Sequence, residues 1–106
     1  MKKILSRQKI GLILVKEYLG ASNSSEFERQ LTDAIVKNHC PILFLSLKGV
    51  ESLDSRKLMA LVSAKKLATL LQRRLIICSV SPTIQIIFEL SQLDRVFEIS
   101  EEPEFV

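Results

Sequence analysis

The chain has 106 residues, of which 47% are hydrophobic and 25% charged, and its formal net charge is +3. That is the balance of one globular domain with a buried core, not of a low-complexity or disordered chain. A surplus of three cations is too small to argue a nucleic-acid surface, and no run approaches the roughly 20 apolar residues that span a bilayer.

The N-terminus, Met1-Lys2-Lys3-Ile4-Leu5-Ser6-Arg7, is basic enough to open a signal peptide. Gln8, Lys9, Lys16 and Glu17 interrupt the apolar run that should follow, so a cytoplasmic location is expected. Residues 10–15 read as a strand, with residues 1–5 as a short partner beside it. Tyr18-Leu19-Gly20-Ala21-Ser22-Asn23 is turn chemistry. A helix follows, opened by a capping box of Asn23 with Glu26 or of Ser25 with Glu28. Phe27, Leu31, Ala34 and Ile35 share one helical face, and the helix should end near Asn38 or His39, before Pro41.

Residues 42–47 are almost purely apolar, as expected of a strand covered on both faces. Lys48-Gly49-Val50-Glu51-Ser52 is the exit loop. A second helix is expected from about Ser55 to Gln72, with a wide apolar surface from Leu58 and Met59 through Leu70 and Leu71. Residues 75–80 read as a third buried strand. Ser81-Pro82 is a helix start, since serine caps and proline suits the first helical position. Ile84, Ile87 and Phe88 line that helix, with Leu90 and Leu93 closing its end. Residues 96–99 form a last short strand.

This alternation predicts an α/β fold: a four- to five-stranded, mainly parallel sheet with helices packed on it. We expect a single domain over residues 1–106, with its core at about 10–99 and a short acidic tail at 100–106.

Few groups suit catalysis. The one histidine, His39, sits beside an expected helix end, and no Ser/His/Asp set can be built without it. There is no GxGxxG and no glycine-rich phosphate loop, so no nucleotide cofactor is expected. No Asp, His and Cys grouping has metal-ligand spacing, and Cys40 and Cys78 read as buried free thiols. Asp54 follows a central strand, as a phosphoacceptor aspartate would. That chemistry wants an acidic pair at the end of the first strand to hold Mg²⁺, and Val15-Lys16-Glu17-Tyr18 stands there instead. The chain is therefore expected not to be an enzyme.

The most informative stretch is Leu53-Asp54-Ser55-Arg56-Lys57. It lies where a strand's exit loop becomes a helix N-terminus, a place that favours negative charge. Ser55 can serve there as an ordinary N-cap, or it can carry a phosphate that changes this face of the domain.

Three segments together resemble the STAS domain, the fold of bacterial anti-sigma factor antagonists. They are ILFLSLKGVESLDSRKL (42–58), RLIICSVSP (74–82) and IQIIFELSQLDRVFEI (84–99). The resemblance implies a partner-switching protein. Such a domain binds an anti-sigma factor serine kinase, is phosphorylated on the serine after the Asp, and is restored by a PP2C-type phosphatase. By position Ser55 matches the phosphoacceptor and Asp54 the preceding acid. Gly20, Ser22 and Asn23 fall in the loop beside that serine, and Arg56, Lys57 and Met59 complete the expected contact face. Two departures fall on this face. Arg56-Lys57 stand where many members have a small residue and then Gly, and Gly20 stands where the family often has Asp. An alternative reading is a STAS accessory subunit of a membrane transport complex, of the ABC lipid-transport type, docked on it without being inserted or phosphorylated. A homodimer is compatible with either.

Overall fold

The computed structural model describes residues 9–101. Strand β1 spans Ile10–Leu14 and leads into a 3₁₀ turn, Val15–Tyr18. Helix α1 spans Ser24–Lys37, β2 Ile42–Ser46, α2 Ser55–Leu70, β3 Arg74–Cys78 and α3 Pro82–Leu90. A second 3₁₀ turn, Leu93–Arg95, precedes the short strand β4, Glu98–Ser100. The four strands pair in the order β1-β2-β3-β4, every pair parallel. The α/β expectation therefore holds, with four strands among the described residues. The partner strand expected at residues 1–5 lies outside them, as do tail residues 102–106.

A parallel sheet in sequential order needs a crossover after each strand. Right-handed crossovers then place every helix on the same face. The packing agrees. Phe27, Leu31 and Ile35 of α1, Leu61, Ala64 and Ala68 of α2, and Ile84 and Phe88 of α3 share one core with Ile13, Leu43, Leu45, Leu75 and Ile77 of the strands. The alternate strand positions form a second, smaller cluster on the other face: Ile42, Phe44, Ile76 and Cys78, with Ile10 against it. Both faces of β2 are buried, which is why its sequence does not alternate. Ser46, its one polar residue, is buried, and its hydroxyl accepts from the Lys48 N–H at 3.2 Å.

Several expected boundaries move. The first strand stops at Leu14, and Val15 turns into the core as the start of the 3₁₀ turn. Helix α1 is capped by Asn23, whose side chain accepts from the Glu26 N–H at 2.8 Å. The reciprocal half of the box is not made, because the Glu26 carboxylate turns to Arg29 and Gln30. Helix α2 ends at Leu70 rather than Gln72, and the third strand at Cys78 rather than Val80. The last strand begins at Glu98, since Val96 and Phe97 belong to the preceding turn. Leu90 does not close its helix: it is 82% exposed, and α3 is held by Ile84, Phe88 and the Phe88–Phe97 ring contact at 5.3 Å. Of the two cysteines expected to be buried, Cys78 is buried and Cys40 only partly so. Among the described residues no helix is long and apolar enough to cross a membrane.

Candidate functional site

Parallel strands send their exit loops to one edge of the sheet, and each helix begins there. At this carboxyl edge the loop after β2 is pinned from both ends. Val50 and Leu53 are buried, and the Val50 N–H donates to the Leu47 carbonyl at 3.0 Å. Gly49 makes the turn possible, with φ +80 and the Lys16 stem packed where a Cβ would sit. The chain thus reaches Asp54 in a fixed direction.

Asp54, not Ser55, is the N-cap of α2. Its backbone is extended and its Oδ1 accepts from the Lys57 N–H at 2.9 Å. Aspartate and serine both cap well, and the residue one step earlier has taken the role. Ser55 becomes the first helical residue. It is exposed, and its hydroxyl has no hydrogen-bond partner among the described residues. The cap that would have explained Ser55 structurally is thereby removed.

A shallow groove of about 310 Å³ runs between the first turns of α1 and α2, lined by Ser24, Ser25, Glu28, Ser55, Arg56 and Met59. Met59 lies one helical turn beyond Ser55 and is 58% exposed. Of the expected contact residues the groove brings together Ser55, Arg56 and Met59. Asp54 and Lys57 flank it through the cap. Gly20, Ser22 and Asn23 stay in the exposed loop before α1, with Asn23 spent on its cap. Nothing local requires glycine at position 20: a Cβ there would meet no atom within 4 Å.

Ser24, Ser25 and Glu28 were not expected at the site. Their one signal in the sequence is the Ser24–Glu28 spacing of four, which puts them on one helix face. That α1 and α2 open side by side is a tertiary fact. The two acids at this end of α1 differ in kind. Hydrogen bonds from Arg29 and then Gln30 hold the Glu26 carboxyl below its ordinary range, tying it to its own helix. Glu28 and Arg56 are exposed, and neither has an ion-pair partner among the described residues.

His39 is exposed just past the far end of α1, beside another groove that includes Tyr18, Lys37 and Asn38. That histidine therefore does not line the groove that holds Ser55. No group of three or more His, Cys, Asp or Glu among the described residues could hold a metal ion.

Comparison with known proteins adds the lineage. The family model described as "STAS domain" matches residues 2–105. The fold is similar to that in the NMR structure of the protein TM1081, with a TM-score of 0.66 and 22% sequence identity. That match covers 87% of this chain and 72% of the other.

Proposed function

The chain belongs to the STAS domain family, whose members are non-catalytic regulatory modules, and on that premise we propose that it is an anti-sigma factor antagonist switched by phosphorylation of Ser55. The observation that carries this reading is the division of labour at the start of α2. Asp54 caps the helix, so the Ser55 hydroxyl is exposed, uncommitted and set in a groove between two helices. The partner is an anti-sigma factor serine kinase, and a PP2C-type phosphatase returns the domain to its binding state. The contact face comprises Asp54, Ser55, Arg56, Lys57 and Met59, with Gly20, Ser22 and Asn23 on the adjoining loop. A phosphate adds a charge of about −1.5 to −2, enough to change which surface this face accepts.

The test is incubation of the purified chain with an anti-sigma factor kinase from the same genome and ATP, followed by intact-mass measurement. One added phosphate is expected, and Ser55→Ala should abolish it while the domain still binds. A kinase that binds neither form removes the proposal. The two cations at 56 and 57 favour a second reading, the accessory subunit of an ABC-type lipid-transport complex. Co-purification with a permease and its ATPase, with Ser55 unmodified, would select that reading.

A further inference from the structure

Glu28 and Arg56 face the same groove as Ser55, from opposite walls, and neither charge is spent elsewhere among the described residues. Both are exposed. We infer that this pair of opposed charges steers a phosphate on Ser55: the Glu28 carboxylate repels it from the α1 wall, and the Arg56 guanidinium holds it on the α2 side. The inference rests on the reading of Ser55 as the modified residue, and it deepens that reading by naming the groups that convert modification into a change of surface.

The placement permits it: Glu28 and Arg56 line the same groove as Ser55 from neighbouring helices, and physiological salt screens charge only over roughly 8 Å. Unmodified, its walls balance, one negative and one positive. Modified, the groove turns strongly negative, and the planar guanidinium can take two phosphate oxygens at once. A partner surface that fits the balanced groove is then opposed on the α1 wall and has lost Arg56 as a contact. Other charges bear on the same serine. Asp54 precedes it with its carboxylate held by the Lys57 N–H, Lys57 follows on α2, and Glu51 lies in the loop from β2. Glu26 is held by Arg29 and does not line the groove. What is particular to Glu28 is that it lines the groove from another element.

The experiment uses the full chain with phosphoserine installed at position 55 during translation, titrated by ³¹P NMR. No kinase is involved, so the result is independent of whether any kinase recognises Ser55; the kinase assay above settles that separately. Phosphoserine loses its second proton near pH 6. Glu28→Gln should lower that pKa by about 0.3–0.5 unit, and Arg56→Gln should raise it by at least as much. The Glu28→Gln shift, which acts across the groove, should collapse in about 1 M salt, where screening acts within roughly 3 Å, while the Arg56→Gln shift should shrink but outlast it, since direct hydrogen bonds to the phosphate are screened less. Unchanged titration in both variants at low salt overturns the inference. So does a Glu28→Gln shift that persists at high salt, since it reports altered structure and not charge. Both substitutions are at exposed positions, and circular dichroism confirms that each variant is folded before it is titrated.

Discussion

A Cβ on Gly11 would lie 2.5 Å from Asn38 Nδ2, 2.7 Å from Asn38 Oδ1 and 2.8 Å from Leu43 Cδ2. Neither neighbour can step aside freely. Asn38 is the C-cap of α1, and its Oδ1 accepts from the Cys40 N–H at 3.2 Å. Leu43 is fully buried. Glycine is therefore at 11 for space, so that β1 can lie against the end of the first helix. Gly11→Ala should destabilise the domain by about 1–3 kcal/mol, the usual cost of overpacking a filled site. A urea denaturation curve checks this, as a lower midpoint with unchanged slope; an unchanged midpoint would mean that the strand and cap can separate at no cost. Strand 10–14 was legible from its apolar run, but this clearance was not, because the atoms that crowd Gly11 come from residues 27 and 32 positions further on. The same holds at the site. Asp54 and Ser55 could be placed at a helix start from the sequence, but which of them caps depended on the direction in which the buried Val50 and Leu53 deliver the chain.

Helix ends show where local sequence misleads at the level of elements. Helix α2 stops with the Arg73 N–H donating to the Ala68 carbonyl at 2.8 Å and the Gln72 N–H to the Thr69 carbonyl at 3.0 Å. That is the Schellman pattern, and it requires a left-handed residue at position 72, which has φ 59. Glycine usually marks such an ending. Glutamine is instead a good helix former, so the apolar pattern reads on two residues too far. The conformation is kept because the next residue is needed: the Arg73 side chain donates to the Ile35 carbonyl at the end of α1 and reaches Val36 O at 3.5 Å. The turn thus ties two helix ends together, with a cation where the first helix's dipole favours one. Gln72→Gly should relieve the left-handed strain without disturbing that tie. The expected gain is on the order of 0.5–1 kcal/mol, part of the relief being offset by glycine's greater freedom in the unfolded chain. Thermal unfolding of the variant checks it. A lower midpoint would show that the glutamine side chain contributes something its backbone does not explain.

For the molecule as a whole, the order of elements was legible because apolar strands alternate with longer helical patterns, and a parallel sheet follows from that alternation. The last strand, expected over 96–99, is the shortest of the four. β4 has only three residues, and its pairing with β3 begins at Ile76↔Glu98. It is also held by charge. Arg74, at the start of β3, donates from Nε to Glu98 Oε1 at 2.9 Å and to Oε2 at 3.2 Å, and its Nη2 reaches Oε2 as well. Arg74, just after α2, and Glu98, near the C-terminus, are thus each other's partners. Hydrogen bonds from Arg74, against a smaller opposing effect of burial, hold the Glu98 carboxyl below its ordinary value of 4.5. A depressed folded pKa means that the stabilisation is fully present above that ordinary value and is lost as pH falls through the lower folded value. Both side chains are more than a third exposed, at 58% for Arg74 and 38% for Glu98, so solvent screening keeps the contribution small. It should lie within about 0.2–1 kcal/mol, towards the lower end. Denaturation midpoints of the parent chain and of Glu98→Gln, measured from pH 7 down to pH 3, should therefore run parallel above about pH 5.5 and converge below 4.5. Convergence should also follow added salt at neutral pH, as it does for exposed pairs. Two curves that stay parallel to pH 3 would show that Glu98 acts through packing at the edge of the sheet and not through its charge.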